Sequence, residues 1–240
     1  MDTIVEPWTP LIENGVHIFY INLDHRTDRR EHMEAQFQSM DIDANRIERI
    51  PGIVPVYDEI QTARVQSFVD QGLYDTIQIA KGPVGCGRSH LAALQLAYDR
   101  KYPYTLILED DFELLVSPDV FRARIRQLFA DPTFTFDVCM LSYNMDKCED
   151  MPDRPFLKRV LDAHTASGYL VAREYLPTLI ACWTEAIEQL ELTGRHWLYA
   201  IDMAWRPLQP RDRWYAFTDR IGKQMASYSD NSCQFTKYNF

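Results

Sequence analysis

One eight-residue stretch constrains this chain more than any other: Tyr104-Thr105-Leu106-Ile107-Leu108-Glu109-Asp110-Asp111. Directly after Pro103, an apolar run with β-branched and aromatic residues passes into three consecutive carboxylates. Such a run reads as a strand buried on both faces, as in a mostly parallel sheet. Open α/β sheets bind ligands at the carboxyl ends of their strands, so this strand would carry Glu109, Asp110 and Asp111 to a ligand edge. Adjacent carboxylates disfavour one another's ionisation, and burial adds to the cost. A hard divalent ion, Mn²⁺ or Mg²⁺, joining these oxygens to a diphosphate is one compensation. A solvated acidic turn is the other, and the stretch by itself leaves both open.

Composition narrows the classes. A chain of 240 residues, 46% hydrophobic and 25% charged, is long enough for one large α/β domain and has ordinary globular make-up. The net charge of -10 argues against a general nucleic-acid surface or a polybasic membrane patch. An anionic nucleotide can still be held locally by a metal and a few arginines. The five cysteines are scattered, with no CxxC pair, which favours reduced thiols in a cytoplasmic compartment over disulfides or a zinc site. No apolar run has the length of a membrane span and no signal pattern opens the chain; peripheral association with a membrane stays open.

Along the chain, Val16–Leu23 reads as the first strand. The polar turn Asp24-His25-Arg26-Thr27-Asp28-Arg29-Arg30 follows, with Asp28 and Glu31 expected to form a capping box. Met33, Phe37 and Met40 supply that helix's buried side. Arg26, Arg29 and Arg30 near a helix N-terminus make a candidate phosphate site, or else ordinary surface partners for Asp24 and Asp28. A short strand is expected over residues 46–51. A loop-rich stretch from Gly52 to Lys81 should hold one helix near 63–69. Gly82-Pro83-Val84-Gly85-Cys86-Gly87-Arg88-Ser89-His90 reads as a glycine-rich approach to a helix with Leu91, Leu94 and Tyr98 on its apolar stripe. Its glycines fit no phosphate-loop or dinucleotide fingerprint, and a lone His90 is more commonly structural than catalytic.

Ser117-Pro118 opens a further helix with Phe121, Ile125 and Leu128 inward. A strand is expected over 136–143, a polar loop over 144–158 and another strand over 165–172. A long amphipathic helix should follow, from Leu176 to the turn at Gly194. The segment 197–240 is aromatic-rich and irregular, with Asp202, Asp212, Asp219 and Asp230 among tryptophans and tyrosines. Aromatics interleaved with carboxylates suit a sugar-binding cleft, and equally a segment wrapped over the core.

Four blocks, in order, resemble glycosyltransferase family 25, the group of lipooligosaccharide and collagen hydroxylysine galactosyltransferases. They are Ile21–Arg30; Gly85-Cys86 and Ser89-His90 with Leu106–Asp111; Thr165 with Gly168-Tyr169; and Ile221-Gly222, Gln224 and Ser227-Tyr228-Ser229-Asp230. The resemblance implies a GT-A-like α/β domain over 1–240, with a central mixed, mostly parallel sheet flanked by helices. It implies a UDP-sugar donor, usually UDP-galactose or UDP-glucose, a glycan or hydroxylated-peptide acceptor, transfer with inversion, and Mn²⁺ or Mg²⁺. Carried over by position, Glu109 and Asp111 become the metal ligands, and Asp24, Arg26, Arg29, Arg30, Ser89, His90 and Asp110 the donor contacts.

Inversion needs a base facing away from the leaving diphosphate, hence a second acidic position. Asp202 is the first candidate, because apolar neighbours flank it on both sides and Trp205 could stack on an acceptor ring; Asp230 is the second. Two alternatives remain: a non-catalytic nucleotide-sugar or glycan-binding relative, and a sugar-1-phosphate nucleotidyltransferase. The latter should show a glycine-rich N-terminal loop with a lysine, and residues 16–30 contain neither glycine nor lysine.

Overall fold

Period-two alternation in the central strands feeds two cores at once. Strand β1 (Val16–Asn22) sends Phe19 and Ile21 to one side, and Val16, Ile18 and Tyr20 to the other. Strand β3 (Tyr104–Glu109) likewise divides Ile107 from Leu106 and Leu108. Both read as continuous apolar runs because both faces are covered, and each fully buried Leu, Ile or Phe contributes roughly 1.5–3 kcal/mol. These observations come from a computed structural model, which describes residues 15–40, 42–229 and 234–236.

Helix α1 (Thr27–Ser39) covers one face with Met33 and Phe37 and leads to β2 (Ile47–Pro51). Helices α2 (Glu59–Asp70) and α3 (Ile77–Asp99) follow. After β3, the acidic residues turn the chain into β4 (Phe112–Leu114), then α4 (Pro118–Phe129), capped by Ser117. Strands β5 (Val138–Met140), β6 (Asn144–Asp150), β7 (Leu157–His164) and β8 (Gly168–Ala172) precede α5 (Leu176–Thr193). Two short helices, α6 (His196–Tyr199) and α7 (Ile201–Ala204), lead to β9 (Trp214–Phe217) and β10 (Gly222–Gln224). A last hairpin pairs β11 (Ser227–Ser229) with β12 (Gln234–Thr236).

The main sheet has eight strands in the order β2-β1-β3-β8-β5-β9-β7-β6. It is mixed: β1 runs parallel to β2 and β3, and β5 parallel to β9, while β8 lies antiparallel between β3 and β5. Helices α3 and α5 pack on one face, α1 and α4 on the other. This is the α/β architecture expected, a central mixed sheet flanked by helices, with the acidic residues ending a central strand.

Several local expectations change. Helix α1 starts at Thr27, so Asp28 sits in its first turn and pairs with Arg26 instead of forming a capping box. Its charge still suits the positive end of the helix. The capping box belongs to α2, between Asp58 and Gln61. Helix α3 starts at Ile77 under a Thr76 cap and runs through Gly82-Pro83 and both following glycines. Tyr98, expected inward, is 41% exposed. The expected polar loop at 144–158 is largely the β6–β7 hairpin. The aromatic segment enters the core: Trp205 and Trp214 are fully buried, 5.0 Å apart between ring centroids. Trp205 therefore cannot stack on an acceptor.

Candidate active site

Strand β3 delivers its carboxylates to the carboxyl edge of the sheet, beside the end of β1, and each meets a different fate. Asp110 turns back into the protein, where it accepts from Arg29 Nη1 at 2.7 Å and from Asn22 Nδ2 at 2.8 Å. It anchors the turn. Asp111 is 4% exposed and lies 3.5 Å from the same guanidinium through Oδ2, while its Oδ1 is buried with no hydrogen-bond partner. Glu109 accepts from Gln224 Nε2 at 3.4 Å and from the Cys86 thiol at 3.7 Å, and its Oε1 lies 3.1 Å from His90 Nε2.

The electrostatics separate the outer pair. Burial, then the charges of Glu109 and Asp110, push the Asp111 carboxyl up to about 8. Burial also pushes Glu109 up, but the His90 contact, with help from Arg29, outweighs it and holds that carboxyl below its usual value. Burial raises Asp110 against the pull of Arg29. One guanidinium among three carboxylates leaves an acidic site short of positive charge, with one buried oxygen unpartnered.

Residues from the other sequence blocks support this turn. A Cβ on Gly168 or on Gly222 would meet the Phe112 ring at 2.6 Å or 2.1 Å. The two glycines thus seat Phe112, the residue directly after the triplet. Strand β10 pairs with β4, and Met225 N–H donates to the Asp111 carbonyl at 2.6 Å. Tyr169 Oη lies 3.0 Å from His90 Nδ1, which fixes the imidazole that faces Glu109.

An open cleft of about 790 Å³ lies in front of the turn. It is walled by Arg29, the 52–55 loop, the α3 face with Gln78, Lys81, Cys86, Ser89 and His90, the three carboxylates, and Gln224. Ser89 ties two of these walls together: its hydroxyl donates to the Gly85 carbonyl at 2.7 Å and accepts from Ile53 N–H at 2.8 Å. A second hollow, about 890 Å³, shares Cys86, Glu109 and Gln224 and holds Asn144, His164, Thr165 and Asp202. Asp202 Oδ2 accepts from Thr165 N–H at 3.3 Å. Burial raises its pKa, opposed by that hydrogen bond and by His164, and Glu109 adds to the rise. Thr165 has φ 82°, a left-handed conformation costly for a β-branched residue.

The structure therefore brings Arg29, Ser89, His90, Glu109, Asp110 and Asp111 to one cleft and Asp202 to its neighbour. Asp24, Arg26 and Arg30 do not line the cleft. Asp24 is largely exposed and pairs with Arg49, Arg26 pairs with Asp28, and Arg30 pairs with Glu34 one helical turn on. Asp230 lies outside the described residues. Arg206 pairs with Asp162 and Asp146, while Asp212 and Asp219 pair with Arg211 and Arg124. Asn22, Lys81 and Gln224 were not singled out from the sequence as site residues. A polar residue closing the β1 apolar run was the available signal for Asn22; helix α3, hidden behind its glycines, concealed Lys81.

Residues 16–193 match the family model described as Glycosyltransferase family 25 (LPS biosynthesis protein). Human procollagen galactosyltransferase 2 is 27% identical over 95 residues, 39% of this chain and 15% of that protein. The human protein named inactive glycosyltransferase 25 family member 3 is 30% identical over 115 residues, 48% of this chain and 19% of that protein. The chain thus spans less than a fifth of the length of these relatives. A solved glycosyltransferase involved in glycosylation of the major capsid of PBCV-1 aligns with a TM-score of 0.44 and 11% identity, over 90% of this chain and 94% of that one. With the family match covering most of its length, the chain belongs to glycosyltransferase family 25.

Proposed function

We propose that this chain is a metal-dependent, inverting glycosyltransferase that moves a hexose, galactose or glucose, from a UDP-sugar to a hydroxyl of a saccharide or hydroxylysine-type acceptor. The observation that carries this reading is the buried, unpartnered Asp111 Oδ1 beside Glu109 on an open cleft. An all-oxygen pair of carboxylates short of positive charge fits Mn²⁺ or Mg²⁺, and Glu109 and Asp111 would hold it. When bound, such an ion neutralises charge on the leaving diphosphate.

The chain's own residues supply the remaining tasks. Lys81 borders the cleft; its ammonium rests over the Tyr57 ring, 5.1 Å from the centroid, and a rotamer change would bring it to a diphosphate oxygen. Arg29 holds Asp110, and through it the turn. Asp202, raised by burial, is suited to taking the proton of an acceptor hydroxyl. Two hollows meeting at Glu109, Cys86 and Gln224 support a donor on one side and an acceptor on the other, as a single in-line displacement requires. The family description and the procollagen galactosyltransferase relatives support a sugar acceptor or a collagen-like one. Free cysteines among the described residues suit a reducing, cytoplasmic setting, and no described helix is long and apolar enough to cross a membrane.

The test is nucleotide release from each common UDP-sugar with Mn²⁺, with and without EDTA. Release that EDTA leaves unchanged would remove the metal from the reading. One relative is named inactive, so UDP binding with no release, across saccharide and hydroxylysine acceptors, would favour the non-catalytic alternative.

A further inference from the structure

We propose that Cys86, His90 and Glu109 form a binding site for a zinc-class divalent ion, distinct from the hard-cation position at Asp111. The inference stands apart from the transferase reading, since it concerns ion binding to the chain without any donor. Cys86 and His90 are four residues apart on α3, so their side chains share one helix face. Across from them, Glu109 at the end of β3 completes a group whose ligand atoms all lie within 4.8 Å of one another.

The spacings match a coordination sphere. With zinc bonded to sulfur at about 2.3 Å and to nitrogen and oxygen at about 2.05 Å, tetrahedral angles put N and O roughly 3.3 Å apart and S and O roughly 3.6 Å apart. The observed separations are 3.1 Å for His90 Nε2 to Glu109 Oε1 and 3.7 Å for Cys86 Sγ to the same oxygen. Metal-ligating histidines usually engage their second nitrogen with an oriented partner. His90 does so through Tyr169 Oη, 3.0 Å from Nδ1. That hydroxyl can accept a hydrogen bond from Nδ1–H, leaving the Nε2 lone pair for the ion. Cys86 and Glu109 border both hollows, which leaves a fourth position open to water or an anion.

Ligand chemistry separates the two positions. Thiolate and imidazole select zinc-class ions, whereas carboxylates alone suit Mg²⁺ or Mn²⁺. On ligation the Cys86 S–H bond breaks, its proton leaves to solvent and the thiolate pair forms the bond to the metal. The two sites share Glu109, so a zinc-class ion would draw this carboxylate away from the hard cation.

The experiment is a Co²⁺ titration of the metal-free chain, read by near-ultraviolet thiolate-to-cobalt absorption and the visible bands of four-coordinate Co²⁺. The expected result is one equivalent of absorbing Co²⁺, bleached by Zn²⁺ and untouched by excess Mg²⁺. Cys86→Ser and Glu109→Gln should each lose the sulfur band with their far-ultraviolet circular dichroism unchanged. Asp111→Asn and Cys182→Ser should retain it. A wild-type titration with no sulfur band, a band that persists in Cys86→Ser, or one lost in Asp111→Asn would each overturn the assignment.

Discussion

At Asp111, burial and the neighbouring charges hold the carboxyl protonated up to about 8, whereas an unfolded aspartate releases its proton near about 3.9. Between those values the folded chain binds more protons than the unfolded one, so this group's contribution to stability falls as pH rises from about 4 to about 8. Asparagine does not titrate. Metal-free Asp111→Asn should therefore gain stability over wild type progressively from pH 5 to pH 8, in urea melts run in EDTA. On the proposed function, UDP with Mn²⁺ should stabilise wild type, and Asp111→Asn should lose that stabilisation, because an amide brings no charge to the cation. A stability difference that does not change with pH would remove the raised carboxyl from the account. The neighbouring arginines separate in the same way. Arg29→Ala leaves Asp110 and Asp111 buried without their guanidinium, a loss of about 3–5 kcal/mol for a broken buried pair. Arg30→Ala interrupts a surface pair with Glu34 and should leave both stability and donor KM nearly unchanged. A rise in donor KM in Arg30→Ala would restore it to the nucleotide site.

Among the elements, α3 sets the width of the cleft, and its glycines are there for contact. A Cβ on Gly85 would stand 2.5 Å from the Ile53 carbonyl oxygen, and one on Gly87 2.9 Å from Ile187 Cγ1. Alanine would improve intrinsic helix propensity at position 85 by about 1 kcal/mol. The clash is with backbone, however, and overpacking of this kind costs about 1–3 kcal/mol. Gly85→Ala should destabilise modestly and weaken UDP binding by displacing the 52–55 loop, read by denaturation and by titration calorimetry. Unaltered UDP affinity would free the loop from the donor site. The same glycines explain what the sequence concealed. Gly82-Pro83 and Gly85 read as helix breakers, yet tertiary packing overrides propensity and the helix passes through them. The hairpin of β6 and β7 was hidden because β6 is polar and largely exposed, giving no clean alternation. Trp205 looked available because its partners Tyr169 and Trp183 are distant in the chain and Trp214 lies beyond an irregular turn. What could be read was local and strongly patterned: β1, β3 with its acidic end, and α4 and α5 with their apolar stripes. Position in a block singled out Glu109 to Asp111, but only packing shows that Asp110 turns to Arg29 and Asn22 while Asp111 keeps a buried oxygen without a hydrogen bond.

At the scale of the whole molecule, two hollows meet at Cys86, Glu109 and Gln224 and otherwise draw on different stretches of the chain. The first is walled by residues from Ile21 to Asp111 with Gln224, and the second adds β6, β7 and the short helices around Asp202. Donor cleavage and acceptor activation should therefore be separable by mutation. Asp202 is held by the Thr165 N–H, presented by a backbone at φ 82° that packing must impose. Asn144 Nδ2 donates to the Thr165 hydroxyl at 3.1 Å, linking β6 to the same corner. Asp202→Asn keeps the shape of the side chain and removes its basicity. It should lose transfer to acceptor by roughly 10²–10⁴-fold, the usual contribution of a general base, while UDP and Mn²⁺ still stabilise the protein as in wild type. Slow hydrolysis of donor by water should survive, because Glu109 and Asp111 remain intact on the other side. The measurement compares acceptor product with free nucleotide over the same time course. Equal loss of both would mean that Asp202 supports the donor side or the fold, and wild-type transfer would pass the base assignment to Asp230.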